Sequence, residues 1–270
     1  MARRGRNSST GAVFGLLVTR RRAIGIVAVL LAVSCGVAAA AGTPRASRSI
    51  VLGKTANYPA SGCPQASRCE VVARVTGVQM NADGLVHPFR APSDGQLVSW
   101  WLKLPPLHRA QIRSFSQLFG GPPAARIAVL RRGEKGRVRM VRQSATQELR
   151  EHLGAKGRVR FKLAEPLRVK EGDYIGLTAI TWIPAFAVNL DPAGDIWLAS
   201  RPRSRCRTPS SRDPETFARY YRRTDAHEQS STVRLYQCQY RTARLLYWAR
   251  LVPDEQPPRD ESGGTQQRRR

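Results

Sequence analysis

DGQLVSWWLKL, residues 94 to 104, sets Trp100 and Trp101 side by side in a stretch with the alternation of a β-strand. Neighbouring side chains of a strand point to opposite faces, so the two indoles cannot share an environment. The alternation puts Val98, Trp100, Leu102 and Leu104 on one apolar face, and Leu97, Ser99, Trp101 and Lys103 on the other. A strand that is apolar on one face needs a second layer to cover that face, and this requirement points to two stacked sheets. It also raises the question of what Trp101 does among polar neighbours.

The same texture runs along the chain from Glu70. CEVVARVTGVQM, ARIAVLRR, GRVRMVRQ, GRVRFKL, GDYIGLTAIT, GDIWLAS, STVRLYQCQY and TARLLYWARLV are short apolar or alternating runs, separated by turn residues such as NADG at Asn81 to Gly84. Few of the connections read as crossover helices, which favours an antiparallel sandwich over a parallel α/β fold. One helix is expected, SATQELREHLG, with a capping box from Ser144 to Gln147 and a stop at Gly154. The sandwich domain is expected over residues 70–252. A Ser-, Pro- and Gly-rich lead-in precedes it at 43–69, with one short strand near Ile50, and a tail without apolar anchors follows at 253–270, expected to be disordered.

The chain carries 45 basic against 19 acidic residues, and its first acidic residue is Glu70. Arginines at 3, 4, 6 and 20 to 22 precede AIGIVAVLLAVSCGVAAAA, residues 23 to 41, and the run closes on small residues. That layout is expected to make residues 1–42 an export signal, or an N-terminal membrane anchor if it is not cleaved. Without the six arginines of that segment, the remainder keeps a net charge of about +20. A chain this basic, placed at the cell surface or secreted, is expected to accumulate on polyanions such as cell-wall polysaccharide or anionic lipid. Nucleic acid is not expected, because no helix-turn-helix, RNP or zinc-finger pattern is present.

Of five cysteines, Cys35 reads as a small apolar residue of the signal, which leaves Cys63, Cys69, Cys206 and Cys238. In an exported chain these suggest two disulfides. Of the three connectivities, Cys63–Cys69 would close a short loop and Cys206–Cys238 would pin a long polar loop to a late strand. A four-ligand metal site would want paired CxxC spacing, which is missing, so neither a metal nor another cofactor is expected.

The order HPFRAPSDGQLVSWWLKL, ARIAVLRRG, LAEPLRVKEGDYIGLTAITWIPAFAVNL and YQCQYRTARLLYWARL, across residues 60 to 252, resembles a group of uncharacterised exported β-sandwich proteins of high-GC actinobacteria. That resemblance implies no settled activity. PLRVKEGDYIGL is also similar to a strand-turn-strand of jelly-roll carbohydrate-binding modules, which implies a sandwich of jelly-roll type and carries over no ligand residue.

Candidate binding residues are aromatic and basic. Of five tryptophans, Trp100 and Trp197 read as core, whereas Trp101 and Trp182, the latter in the loop-like TWIPAF, are candidates for stacking on a sugar ring. In GRVRFKL the side chains of Arg158, Arg160 and Lys162 oppose Val159, Phe161 and Leu163, and GRVRM repeats the pattern with Arg137 and Arg139. If the two strands are neighbours, their outer faces form one cationic stripe; the plainer alternative is a solvated face with charge-protected edges. No HExxH, GxSxG, P-loop or GxGxxG occurs, and Asp191 and Asp195 read as turn residues, with a calcium loop as the rival. The expectation is a non-catalytic binding or structural module of the cell envelope. The alternatives are a polysaccharide hydrolase or lyase with dispersed acids, and a membrane-tethered structural protein.

Overall fold

A computed structural model describes residues 48–63, 69–155, 157–207 and 214–255, all within one unit that begins at Ala46. The expected signal or anchor at 1–42 lies outside the described residues, as does the tail from residue 256. Among the described residues, no helix is long and apolar enough to cross a membrane.

The strands, in chain order, are β1 (Ile50–Leu52), β2 (Val72–Ala82), β3 (Leu85–Val86), β4 (Gly95–Lys103), β5 (Ala124–Arg132), β6 (Arg137–Gln143), β7 (Gln147–Glu148) and β8 (Arg158–Val169). They continue with β9 (Tyr174–Ile183), β10 (Phe186–Ala187), β11 (Ile196–Ala199), β12 (Val233–Leu235), β13 (Cys238–Arg241), β14 (Arg244–Leu245) and β15 (Tyr247–Pro253). Among the described residues, two α-helices interrupt them, α1 (Arg109–Phe119) and α2 (Pro214–Arg222). A narrow sheet has the order β1-β15-β4-β8, and a wide sheet the order β12-β6-β5-β9-β2-β11-β13 with β3 and β7 attached; all ladders are antiparallel. Leu97, Trp100, Leu102, Phe161 and Leu251 of the narrow sheet share one core with Val75, Ile127, Val129, Ile175 and Leu177 of the wide one. The Tyr247 hydroxyl reaches across to donate to the Ile175 carbonyl at 2.8 Å. The structure therefore supports the antiparallel sandwich, a coarser description than the jelly roll expected from the sequence.

The opening stretch forms β4, with one change of phase. Leu97, expected on the outer face, is fully buried together with Trp100 and Leu102. A bulge at Val98 makes this possible. Leu97 pairs with Leu251 while Ser99 pairs with Arg250, so against β15 Val98 adds one residue that shifts the alternation; against β8, where Leu97 pairs with Leu167 and Ser99 with Lys162, the longer surplus lies in β8. Burying a leucine contributes about 2 kcal/mol, enough to favour the bulge over an unbroken register that would turn Leu97 outward.

The expected helix at 144–154 does not form. Ser144 instead continues the pairing of β6 with β5: its backbone N–H donates to the Ile127 carbonyl at 2.9 Å, and its hydroxyl oxygen accepts from the Ile127 N–H at 3.2 Å. Next, β7 pairs with Ala124 and Ala125, Leu149 drops into the core, and a single 3-10 turn covers Arg150–His152. The capping chemistry of Ser144 was real, but it serves a strand. The helix α1 lay unrecognised in RAQIRSFSQLF. There Ile112, Phe115 and Phe119 lie on one helical face, Gln111 Oε1 accepts from the His108 N–H at 2.9 Å, and Gly120 closes the helix at φ +77°.

Both expected disulfides are present, Cys63–Cys69 and Cys206–Cys238, and they point to an oxidising environment.

Candidate polyanion-binding face

Alternation along the narrow sheet sends Trp101 and Lys103 of β4, Trp248 and Arg250 of β15, and Arg158, Arg160 and Lys162 of β8 to the outside. The registers align them in rows: Trp248, Trp101 and Arg160 form one, and Arg250, Ser99 and Lys162 the next. Trp101 is half-buried because two guanidinium groups flank its ring, Arg160 and Arg250, each 5.5 Å from the centroid. Arg158 lies 4.8 Å from the Trp248 ring and 5.1 Å from that of Tyr58. A flat guanidinium loses little hydration on an indole face, so the rings hold these cations in place without neutralising them.

Five cations thus stand on or beside one face: Lys103, Arg158, Arg160, Lys162 and Arg250. Among the described residues, none of them has a carboxylate partner. Lys103 instead donates to the Pro59 carbonyl at 2.9 Å. The ion pair on this sheet, Arg168 with Asp254 at 2.9 Å, sits near its far end, where Arg168 is in register with Gln96.

The remaining expected site residues fall elsewhere. Arg137 and Arg139 are exposed on β6, which pairs with β5 and β12 in the wide sheet, whereas β8 pairs with β4 in the narrow one. The single cationic stripe is therefore split between two sheets, because the connection after β6 crosses the sandwich rather than turning back. Trp182 is fully buried, and so offers no ring for stacking. It lies on the outer side of the wide sheet, 5.1 Å from the Phe115 ring of α1, and its indole N–H donates to the Gly121 carbonyl at 3.1 Å. Trp100, Trp197 and Trp248 are at most 4 % exposed, which leaves Trp101 as the one tryptophan with an accessible ring.

The buried acids are each committed to arginine. Asp173 holds Arg131 in a two-point bridge at 2.7 and 2.9 Å, and that bond raises the arginine's pKa. Asp195 pairs with buried Arg244, and Asp225 with both Arg201 and Arg205. Asp191 makes a plain turn, its carboxylate accepting from the Gly194 N–H at 2.7 Å, so a calcium loop built on Asp191 and Asp195 is not supported.

A second polar cluster lies under the described parts of the excursion between β11 and β13, residues 200–207 and 214–237. The Ser200 hydroxyl accepts from the Thr76 N–H and donates to the Asp225 carbonyl, and the Thr76 hydroxyl, 2.9 Å from that of Thr178, accepts from the His227 N–H. The His227 ring contacts the Tyr236 hydroxyl at 3.3 Å and that of Thr232 at 2.9 Å. Burial, with Arg234 adding repulsion, pushes the His227 pKa down to about 4, and burial raises that of Tyr236. Little in the sequence signals this cluster, whose members are far apart in the chain. It is sealed, with His227, Thr76 and Thr178 fully buried, and it works as structure.

No protein-family model, curated protein or solved structure matches the chain.

Proposed function

We propose that the protein is an exported, non-catalytic module of the cell envelope that binds a polyanion through the outer face of its narrow sheet. The observation carrying this reading is the set of five cations on the outer face of the narrow sheet that have no carboxylate partner among the described residues. Exposed charges that stay unpaired are free to meet the charges of a ligand, and several weak contacts on one polymer add up through effective concentration. The two disulfides suit a location outside the cytoplasm, and the basic, then apolar, N-terminal segment suits an export signal or anchor. The polymer is better read as acidic than neutral, since one half-covered tryptophan is a poor platform for sugar stacking.

The test is retention of the full chain on an anionic polymer resin, a neutral glycan resin and cell wall over a salt series. Retention on the anionic resin and on wall, lost as salt rises, is expected. The triple variant Arg158→Glu, Arg160→Glu, Lys162→Glu should elute at clearly lower salt with its melting temperature little changed, because exposed substitutions there are worth about 0.5 kcal/mol or less. Retention that persists at about 1 M salt, where the screening length is about 3 Å, would overturn the electrostatic reading.

A further inference from the structure

Beneath the cations of the narrow sheet lies a row whose hydrogen bonding is incomplete. Ser99 of β4 stands directly between Arg250 of β15 and Lys162 of β8. Ser99 is fully buried, yet among the described residues its hydroxyl has no hydrogen-bond partner, and neither has the Nε of Arg250. A buried hydroxyl left unsatisfied costs about 1–3 kcal/mol, and the removal of that cost is a driving force for any group that completes it. The two residues directly opposed to Ser99 both carry donors, the Lys162 ammonium on one flanking strand and the Arg250 guanidinium on the other, with opposed Cβ atoms about 5 Å apart. Ser99 is closed to solvent, so a ligand reaches it only when the long side chains on its flanking strands, Lys162 and Arg250, move aside.

We infer that Lys162, Ser99 and Arg250 form a seat for one oxyanion group, a phosphate, sulfate or carboxylate, whose oxygens accept from the ammonium, the hydroxyl and the guanidinium of three adjacent strands. This rests on the polyanion reading and sharpens it. The face would not be a diffuse layer of charge, because it has one position where an anionic group is held by directed bonds. Along β8, Arg160 and Arg158 follow Lys162 at every second residue, about 6.8 Å apart, so neighbouring charges of a polymer seated at Ser99 meet further cations. Trp101, two residues from Ser99 and flanked by Arg250, lies beside the seat and reports its occupation.

The experiment compares the wild type, Ser99→Ala and Arg250→Lys in binding to inorganic phosphate, to dextran sulfate, to polygalacturonate and to phosphatidylglycerol vesicles. Trp101 fluorescence is the readout, with Trp101→Phe as its blank. Ser99→Ala removes only the hydroxyl. It should weaken whichever probe binds by about tenfold, as loss of a hydrogen bond to a charged group does, while thermal stability holds or rises because an unsatisfied buried group has gone. Arg250→Lys keeps the charge and removes the Nε donor, and it should weaken binding too. The probe that shows these losses identifies the source of the oxyanion. If Ser99→Ala binds every effective probe as the wild type does, the seat is wrong while the polyanion reading stands. If the wild type binds none of them, both fall.

Discussion

Trp101 on the narrow sheet and Trp182 on the wide sheet both point away from the core shared by the two sheets, yet one is half-exposed between two guanidinium groups and the other is fully buried. The difference lies in what the chain places above them. Over Trp182 lies α1, and further along the same face His227 and Tyr236 of the excursion between β11 and β13 cover Thr76, Thr178 and Met80. The Cys206–Cys238 disulfide fastens this excursion to β13. Against Trp101 stand the side chains of Arg160 and Arg250, and the outer face of this sheet carries arginine and lysine. Pointing outward from one core therefore says nothing about reaching water. That depends on whether another segment of the chain returns to cover the face.

The largest expected break in this comparison comes from truncating the two indoles. Trp182→Ala should cost about 4 kcal/mol in urea unfolding, the size expected for removing a buried tryptophan with its hydrogen bond, whereas Trp101→Ala should cost about 1 kcal/mol or less. Equal costs would mean that the narrow sheet's outer face is covered in solution.

Next in size is Asp225, the anchor of the excursion. Asp225→Ala leaves Arg201 and Arg205 without their shared carboxylate, and both are largely buried, with side-chain exposures of 17 % and 27 %. A loss of about 3 kcal/mol is expected, with earlier protease cleavage between residues 200 and 237 than elsewhere. Arg160→Ala on the open face should leave both readouts within about 0.5 kcal/mol of wild type.

The smallest of these effects sharpens the comparison by pH. His227 is buried neutral with its folded pKa near 4, below the ordinary 6.5, so between those values the unfolded chain binds more protons than the folded one. Stability should therefore be full above about pH 6.5 and fall by about 2–3 kcal/mol as the pH drops towards 4. His227→Gln should flatten that dependence in melts followed from pH 7 to pH 4. An unchanged slope would show that other groups carry it.

Much of the sandwich was legible because strand alternation is local. The runs that became β2, β5, β6, β8, β9, β11 and β15 read as strands, and the two disulfides followed from cysteine number and loop length. The misreadings came where local chemistry had two uses. Ser144 can cap a helix or satisfy a strand end, and the need of β5 for a partner, together with burial of Leu149, selected the second. The bulge at Val98 was invisible because it depends on Leu167 and Leu251, far along the chain. Alternation alone put Trp101, Arg158, Arg160 and Lys162 on outward faces, while Arg250 and Ser99 join them only through cross-strand register, which no local pattern shows.

By itself the sequence determined that short amphipathic strands stack into a sandwich, that four cysteines pair, and that arginine dominates the surface, because period, composition and spacing are properties of the chain read locally. Only the tertiary structure decided which outward faces meet water, which arginines are spent on buried carboxylates, and which side chains stand in one row across three strands. Those outcomes depend on which distant segments come to lie against one another, and no local period encodes that choice.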